Sequence, residues 1–452
     1  KQHIMRNDLI IGLDIGSSHV RAIAGKQNDR GRLEILATGS SVNSNNVLNG
    51  EIVNINKTTA AISEAMNQIS HVLDGKNSEH FFASNLSGSH IKVQPFSLSK
   101  IRKNEREPVS NNEVMSLFEE AKRTFADKNP CVLHTLPIGF KVGNLPETLD
   151  PIGQIGQKIQ ADFVFISANP SKNDLLTQCL KSAETKHLKK GNVYFSSLAT
   201  ASSVLSKEEK QEGVVLVDLG SGTTEISIFQ NNRLKHATVL NWGGDLISDD
   251  IQSGLDISRD HAETLKVRFG SAIQKDIPVS EVVMIPGIAG RKATPVSVKN
   301  LAIIIEERLK ELAAIIVAEI SKHTDIKNLK AGLVLTGGGA QLPYIDELFQ
   351  KFTGLDARIG DPNATSTNPA IATEIKDPSF ATVIGLVQVY YDQQETAEAD
   401  EAAMASAPVK EMAKETGYTD SKPSKPAPRI GDLFRKMVDV VMGDDDGGDA
   451  SY

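Results

Sequence analysis

The sequence has few cysteines, few aromatic residues and no long apolar run. Its 452 residues include two cysteines, Cys131 and Cys179, which suggest neither a disulfide framework nor a metal site. Aromatic residues make up 5% and the formal net charge is −8, so a nucleic-acid partner is not expected. No run approaches the roughly 18 apolar residues of a spanning helix, and Asp14 interrupts the first apolar run, so no secretory signal is predicted. These absences indicate a reducing, cytoplasmic compartment.

Two copies of a strand–turn–strand pattern are present instead. In each copy an apolar strand ends near an aspartate, Asp14 in the first and Asp218 in the second, and a turn of small residues follows. Such a turn leaves backbone N–H groups free for a phosphate chain, and an aspartate at a strand end suits a hydrated Mg2+ ion. We therefore predict two related halves that close on one polyphosphate from opposite sides. The predicted phosphate-binding residues are Gly16, Ser17 and Ser18 in the first turn, and Gly220, Ser221, Gly222, Thr223 and Thr224 in the second.

A third glycine-rich segment follows much later, between 332 and 348. It has an apolar strand, then Gly337, Gly338 and Gly339, and then a helix start. Glycines let the backbone approach a flat base or a ribose, with helix N–H groups nearby. This turn is a candidate nucleoside site.

In this order, the three segments resemble the phosphate-1, phosphate-2 and adenosine motifs of the actin, heat-shock-chaperone and sugar-kinase superfamily. The resemblance is closer to FtsA, the family of bacterial cell-division actin homologues, and extends from about Asp8 to Val389. Gly244 lies in a second glycine turn, and Glu263 and Lys266 lie on a helix that reaches the nucleoside in the family. On an exposed helix such a pair is usually only solvated. The resemblance implies ATP and Mg2+ as cofactors, with Asp14 and Asp218 holding the ion through water.

The implied fold is α/β: two actin-like lobes around a nucleotide cleft, with an inserted α+β subdomain called 1C. Inside this insertion, Ser110 and Glu113 form a capping box that opens an amphipathic helix. The expected boundaries are 6–81 and 167–212 for subdomain 1A, 82–166 for 1C, 213–241 and 329–377 for 2A, 242–328 for 2B, 378–392 for a last 1A helix, 393–428 for a disordered linker, 429–442 for an amphipathic helix and 443–452 for an acidic tail.

Ser197 and Leu198 fall where strongly hydrolytic relatives carry an acid followed by proline. Neither side chain is a competent base near neutral pH. The resemblance therefore implies at most slow ATPase activity, and no catalytic residue is assigned.

The end of the chain has a different composition. Residues 393–428 are rich in Ala, Glu, Lys, Pro and Ser, which is typical of a disordered linker, and an amphipathic segment follows. Such a tethered helix can lie in a membrane interface or dock in a partner groove. With the acidic tail included, the segment is net negative, so apolar insertion would have to provide most of the membrane binding. The predicted membrane-binding residues are Ile430, Leu433, Phe434, Met437 and Val441.

Members of the resembled family assemble into filaments, link the tubulin-like FtsZ ring to the cytoplasmic membrane through the C-terminal helix, and recruit later division proteins. In the family the FtsZ tail docks on subdomain 2B, and Arg291 and Arg308 match basic positions linked to partner binding or self-association. The implied location is the inner face of the cell membrane at the division site. One alternative is a sugar-kinase-type phosphotransferase, which needs a catalytic aspartate that we do not find. The other is a pilus-assembly actin homologue, which would not be expected to carry the tethered helix.

Overall fold

The computed structural model describes residues 8–28, 31–73, 80–183, 188–275, 277–286 and 292–405. In chain order the strands are β1 (Ile10–Ile15), β2 (His19–Gln27), β3 (Leu33–Val42), β4 (Val47–Leu48), β5 (Glu51–Ile52), β6 (His80–Leu86), β7 (Lys92–Ile101), β8 (Val132–Val142), β9 (Lys158–Ser167), β10 (Leu188–Phe195), β11 (Val214–Leu219), β12 (Thr224–Gln230), β13 (Arg233–Leu240), β14 (Val282–Ile285), β15 (Thr294–Ser297), β16 (Leu333–Thr336) and β17 (Ala357–Ile359).

The helices alternate with these strands, as expected for an α/β protein. In chain order they are α1 (Ile55–Ile69), α2 (Asn111–Ala126), α3 (Pro170–Ser182), α4 (Ser196–Val204), α5 (Lys207–Glu212), α6 (Gly244–Leu255), α7 (Arg259–Phe269), α8 (Val298–His323), α9 (Ile345–Thr353), α10 (Pro369–Glu374) and α11 (Ala381–Ala405). Within the described ranges, no helix is both long enough and apolar enough to cross a membrane.

Two five-stranded sheets share one topology. The first has the order β10-β6-β1-β2-β3 and the second has the order β17-β16-β11-β12-β13. In each sheet the central strand pairs antiparallel with the next strand along the chain and parallel with a later one. Every residue of β1 is buried, because the strand is covered on both faces and its apolar sequence fits that position. The predicted division into two related α/β halves is confirmed.

The insertion has a sheet and a core of its own. Its three strands have the order β7-β9-β8 and are antiparallel. Helix α2 begins with the predicted capping box: the Ser110 hydroxyl accepts from the Glu113 N–H at 3.3 Å, and the Glu113 carboxylate accepts from the Ser110 N–H at 3.0 Å. Phe125 of this helix stacks on Phe165 of β9, with ring centroids 4.1 Å apart. An α+β unit is therefore present here, as predicted.

One strand within the range predicted for the insertion, 82–166, belongs to the first sheet instead. Strand β6 (His80–Leu86) pairs with β1 and β10 in the first sheet, and the insertion's own sheet begins at β7. The short segment from Phe82 to Leu86, in which Ser84 and Asn85 lie between apolar residues, suits either sheet. Only the pairing partners distinguish the two positions, and these come from distant parts of the chain.

Helix α11 connects the C-terminal part of the described chain to the first sheet. It packs against α4 so closely that a Cβ atom at Gly385 would clash with the backbone of Ala199. The helix begins at Ala381, after a short 3-10 turn at Pro378–Phe380, and it continues to Ala405. The prediction of a helix ending at 392 and a disordered linker from 393 is therefore wrong for residues 393–405. The rest of the linker lies outside the described residues.

Candidate functional site

The two aspartate hairpins face each other across a cavity of about 390 Å3 between the two sheets. Asp14 and Asp218 occupy the same place in their sheets, because each is the next-to-last residue of the central strand. All but one of the residues predicted to bind nucleotide line this cavity. They are Asp14, Gly16, Ser17, Ser18, Asp218, Gly220, Ser221, Gly222, Thr223, Gly244, Glu263, Lys266, Gly337, Gly338 and Gly339. Thr224 is the exception: it is buried, and its hydroxyl donates to the Trp242 carbonyl at 2.7 Å.

Asp14 is held from behind by a buried asparagine. The side-chain amide of Asn85, on β6, donates to Asp14 Oδ1 at 2.7 Å, and its carbonyl oxygen accepts from the Ile15 N–H at 2.8 Å. Burial raises the pKa of the Asp14 carboxyl to about 6; the positive charge of Arg21 opposes this shift and the charge of Asp218 adds to it. The sequence alone does not reveal the role of Asn85, because this residue lies within the range predicted for the insertion.

Asp218 is held by two threonine hydroxyls from two helices. Thr200 of α4 donates to Asp218 Oδ2 at 3.0 Å, and Thr382 of α11 donates to the same oxygen at 3.2 Å. Burial raises the pKa of Asp218, and these two hydrogen bonds act against the shift. The sequence carries no local signal for either threonine, because their role depends on how α4 and α11 pack beside β11.

A third carboxylate, Glu225, lies in the same cavity and was also missed. It is opposite Asp218 in the β11–β12 pair and only 5% exposed. The Ser87 hydroxyl donates to its Oε1, and its buried Oε2 makes no hydrogen bond of normal geometry within the described ranges. Burial and the neighbouring charge of Asp218 raise the pKa of Glu225. A signal was available, because a carboxylate within an otherwise buried strand is costly unless it serves a site.

Two glycines of the turns lie against the facing segments of the cavity. Gly337 has φ = +81°, and a Cβ atom there would meet the Asp218 side chain and lie 2.8 Å from the Leu219 carbonyl oxygen. A Cβ atom at Gly222 would lie 2.7 Å from the Ser17 hydroxyl oxygen, so the tips of the two hairpins touch. Glycine is therefore required at Gly337 by both conformation and space, and at Gly222 a side chain would displace the Ser17 hydroxyl.

Glu263 and Lys266 reach the cavity from α7 and form a connected pair. Lys266 Nζ lies 2.8 Å from Glu263 Oε2 and donates to the Gly244 carbonyl at 2.8 Å. The Ser248 hydroxyl donates to Glu263 Oε2 at 2.5 Å. The lysine side chain is only 12% exposed. The pair thus connects α7 to the glycine turn at the start of α6, rather than lying free on a solvated helix face.

Ser197 and Leu198 do not reach the cavity. Both are buried, and the Ser197 hydroxyl is hydrogen-bonded to the Ser227 hydroxyl of β12. Ser196 lines the cavity instead. Ser197 and Leu198 therefore cannot contact a molecule bound in the cavity without a rearrangement of α4.

Arg308, predicted to bind a partner, already has partners within the chain. Its guanidinium donates to Asp250 Oδ1 at 2.7 Å and to Glu311 Oε2 at 2.9 Å, and it lies 4.9 Å from the centre of the Trp242 ring. Arg291 lies outside the described residues, as do the five predicted membrane-binding residues, Ile430, Leu433, Phe434, Met437 and Val441. Partner binding and membrane binding remain predictions.

Two matching sheets, with paired aspartate hairpins around one cavity, define the chain as an actin-like protein. Solved structures share this fold. The PilM–PilN type IV pilus biogenesis complex aligns with a TM-score of 0.59 at 16% identity, over 84% of this chain and 98% of that one. MreB5 of Spiroplasma citri bound to ADP aligns with a TM-score of 0.52 at 13% identity, over 87% and 99%.

Sequence comparison is more specific. The profile of the family described as Cell division protein FtsA matches residues 215–385, and that of the SHS2 domain inserted in FtsA matches residues 88–167. Cell division protein FtsA of Borreliella burgdorferi is 30% identical over 392 residues, which cover 86% of this chain and 92% of the relative. The Escherichia coli K12 protein is 29% identical over 387 residues, covering 84% and 89%. The chain belongs to the FtsA family of cell division proteins.

Proposed function

We propose that this chain binds ATP with Mg2+ in the cavity between the hairpins. The observation that carries the proposal is the convergence of two small-residue turns and three carboxylates, the buried Asp14 and Glu225 and the half-buried Asp218, on one cavity. Oxygen ligands are the ones that Mg2+ prefers, whereas zinc-type ions prefer nitrogen and sulfur. A bound cation would favour the ionised form of carboxyl groups whose pKa values burial has raised.

The residues present fit the parts of a nucleotide. The turns after Asp14 and Asp218 offer backbone N–H groups to phosphates, and the two aspartates would hold the hydrated ion. The Gly337 turn, with Glu263 and Lys266 across the cavity, would contact the nucleoside. When bound, the ion would supply positive charge that offsets both the phosphates and the carboxylates.

We propose that ATP turnover is slow. Ser197 and Leu198 offer no side chain that can act as a base near neutral pH, and both are buried away from the cavity. The nucleotide then acts mainly as a clamp that sets the angle between the lobes, and with it the competence to assemble.

In the cell, we propose, the protein assembles into filaments and links the FtsZ ring to the inner face of the cell membrane. Subdomain 2B (242–328) would receive the FtsZ tail, with Arg291 and Arg308 facing acidic groups of that tail or of a neighbouring subunit. The helix at 429–442 would insert into the membrane, and later division proteins would be recruited. Membership of the FtsA family supports this function over a pilus-assembly role or a sugar-kinase-type phosphotransfer.

Calorimetric titration with ATP–Mg2+ tests the nucleotide proposal. The variant Asp218→Ala should lose most of its affinity while its fold, followed by circular dichroism, is kept. The exposed aspartate Asp361 serves as the matched control, and Asp361→Ala should bind like the unaltered protein. Unchanged affinity in Asp218→Ala would show that this aspartate does not face the nucleotide.

Co-sedimentation with lipid vesicles tests the tethering proposal. The full chain should sediment with vesicles in the absence of FtsZ. FtsZ should sediment with vesicles only when this protein is also present. The measurement with and without ATP then separates membrane attachment from nucleotide-dependent assembly. FtsZ that stays in the supernatant in every condition would contradict the tethering role.

A further inference from the structure

A second cluster of ligating side chains lies on the second lobe. His236 is on β13, the edge strand of the second sheet, and Glu319 and His323 lie one helical turn apart near the end of α8. One ligand atom from each residue lies within 4.8 Å of the other two. None of the three lines the cavity between the hairpins. The cluster therefore requires an explanation of its own.

The spacing of these atoms suits one small metal ion. Glu319 Oε1 lies 3.1 Å from His236 Nε2 and 3.6 Å from His323 Nε2. Bonds of about 2.0–2.2 Å to a tetrahedral zinc ion place neighbouring ligand atoms roughly 3.3–3.6 Å apart. The distances from Glu319 to the two histidines are therefore close to those between three corners of such a coordination shell.

The two imidazole rings have the character that metal binding needs. They stack with centroids 3.5 Å apart and planes 12° apart, an arrangement that two imidazolium cations would oppose. Stacked rings direct their lone pairs along nearly parallel lines, so one ring must turn. His323 is 33% exposed and has room to do so.

The second oxygen of Glu319 is already oriented. Lys322 Nζ lies 2.6 Å from Glu319 Oε2, which leaves Oε1 facing the two histidines. The lysine side chain is 64% exposed, so it can move away from an arriving cation or keep the carboxylate in place as an outer partner. The exposed side of His323 leaves a fourth position for water.

We propose that His236, Glu319 and His323 form a binding site for a divalent transition-metal ion of the zinc type. Nitrogen ligands select such ions over Mg2+, so this site differs chemically from the carboxylate cavity. A bound ion would tie the edge strand β13 to the end of α8, within the second lobe.

Cobalt absorption spectroscopy on the untagged, full-length protein tests the proposal. Excess Mg2+ keeps oxygen-only sites filled while Co2+ is added. We expect the intense visible bands of four- or five-coordinate Co2+, saturating at one ion per chain and removed by Zn2+. The variants His323→Gln and Glu319→Gln should each weaken binding by at least about 10–100-fold, the loss caused by removing even an outer partner.

The control is His71→Gln. His71 is an exposed histidine just after α1 that interacts with the Gln68 carbonyl, and its replacement should leave the bands unchanged. Because His323 is at the surface, its variant should fold, and Zn2+ should raise the melting midpoint of the unaltered protein but not of this variant. Absence of saturable bands in the unaltered protein, or bands of equal strength in His323→Gln, would overturn the proposal.

Discussion

Replacing Asp14 with asparagine should stabilise the ligand-free protein at neutral pH. The folded protein buries this carboxyl, and its pKa rises from 3.8 to about 6. A shift of this size costs the ionised form about 3 kcal/mol of folding free energy, at 1.36 kcal/mol per pKa unit. Asparagine has nearly the same shape and can still accept the hydrogen bond from Asn85, so Asp14→Asn should remove the cost of the charge without leaving a cavity.

The effect should depend on pH in a defined direction. An acid whose folded pKa is raised binds more protons in the folded state, so its contribution to stability falls as pH rises from 3.8 to 6. Above pH 6 the cost is complete, and near pH 5 about 1.5 kcal/mol of it remains. The stability gained in Asp14→Asn should therefore be about 3 kcal/mol at pH 7.5 and about half of that at pH 5.

Denaturant unfolding of the nucleotide-free protein at these two pH values measures the effect. Asp361→Asn, an exposed aspartate, provides the control and should change stability little at either pH. If Asp14→Asn is neutral or destabilising at pH 7.5, or gains the same amount at pH 5, the reasoning from burial is refuted. The same variant should bind ATP–Mg2+ more weakly, which would make Asp14 a residue that costs stability and serves binding.

Three further results are expected. Steady-state ATPase activity should be far below the roughly 10 s⁻¹ typical of enzymes, and a rate near that value would reveal a base that we have missed. Charge reversal in Arg308→Glu should break the contact with Asp250 and alter FtsZ recruitment or filament formation in sedimentation assays; if both persist, Arg308 serves only within the chain. Replacing Leu433 and Phe434 with Asp should remove several kcal/mol of apolar burial, at roughly 1.5–3 kcal/mol per large side chain, and should abolish vesicle binding. Vesicle binding by the unaltered protein should change only modestly when salt is raised. Continued sedimentation of this double variant with vesicles would indicate that the helix docks on a partner.

Local patterns predicted the strand–turn–strand units and the glycine turns, because each is determined by a few neighbouring residues. Asp14 and Asp218 were found for this reason: an aspartate ending an apolar strand before a small-residue turn can be read directly. The capping box at Ser110 and Glu113 was predicted in the same way and is confirmed.

The residues that the sequence did not reveal depend on contacts between distant segments. Asn85 reaches Asp14 across 71 positions of sequence, and Thr382 reaches Asp218 across 164. The end of α11 was misjudged for another reason. Residues 393–405 are rich in alanine and glutamate, which are good helix formers, so they extend the existing helix α11. The same composition, with few large apolar residues, had led us to predict a disordered linker.

The contact between the hairpin tips, at Ser17 and Gly222, has a kinetic consequence. We expect a molecule bound between the two hairpins to leave more readily when the tips separate, so that opening of the lobes contributes to its rate of escape. Any neighbour that holds both lobes would then slow exchange without touching the bound molecule. The lifetime of the bound state would thus be controlled from the outer surface of the protein.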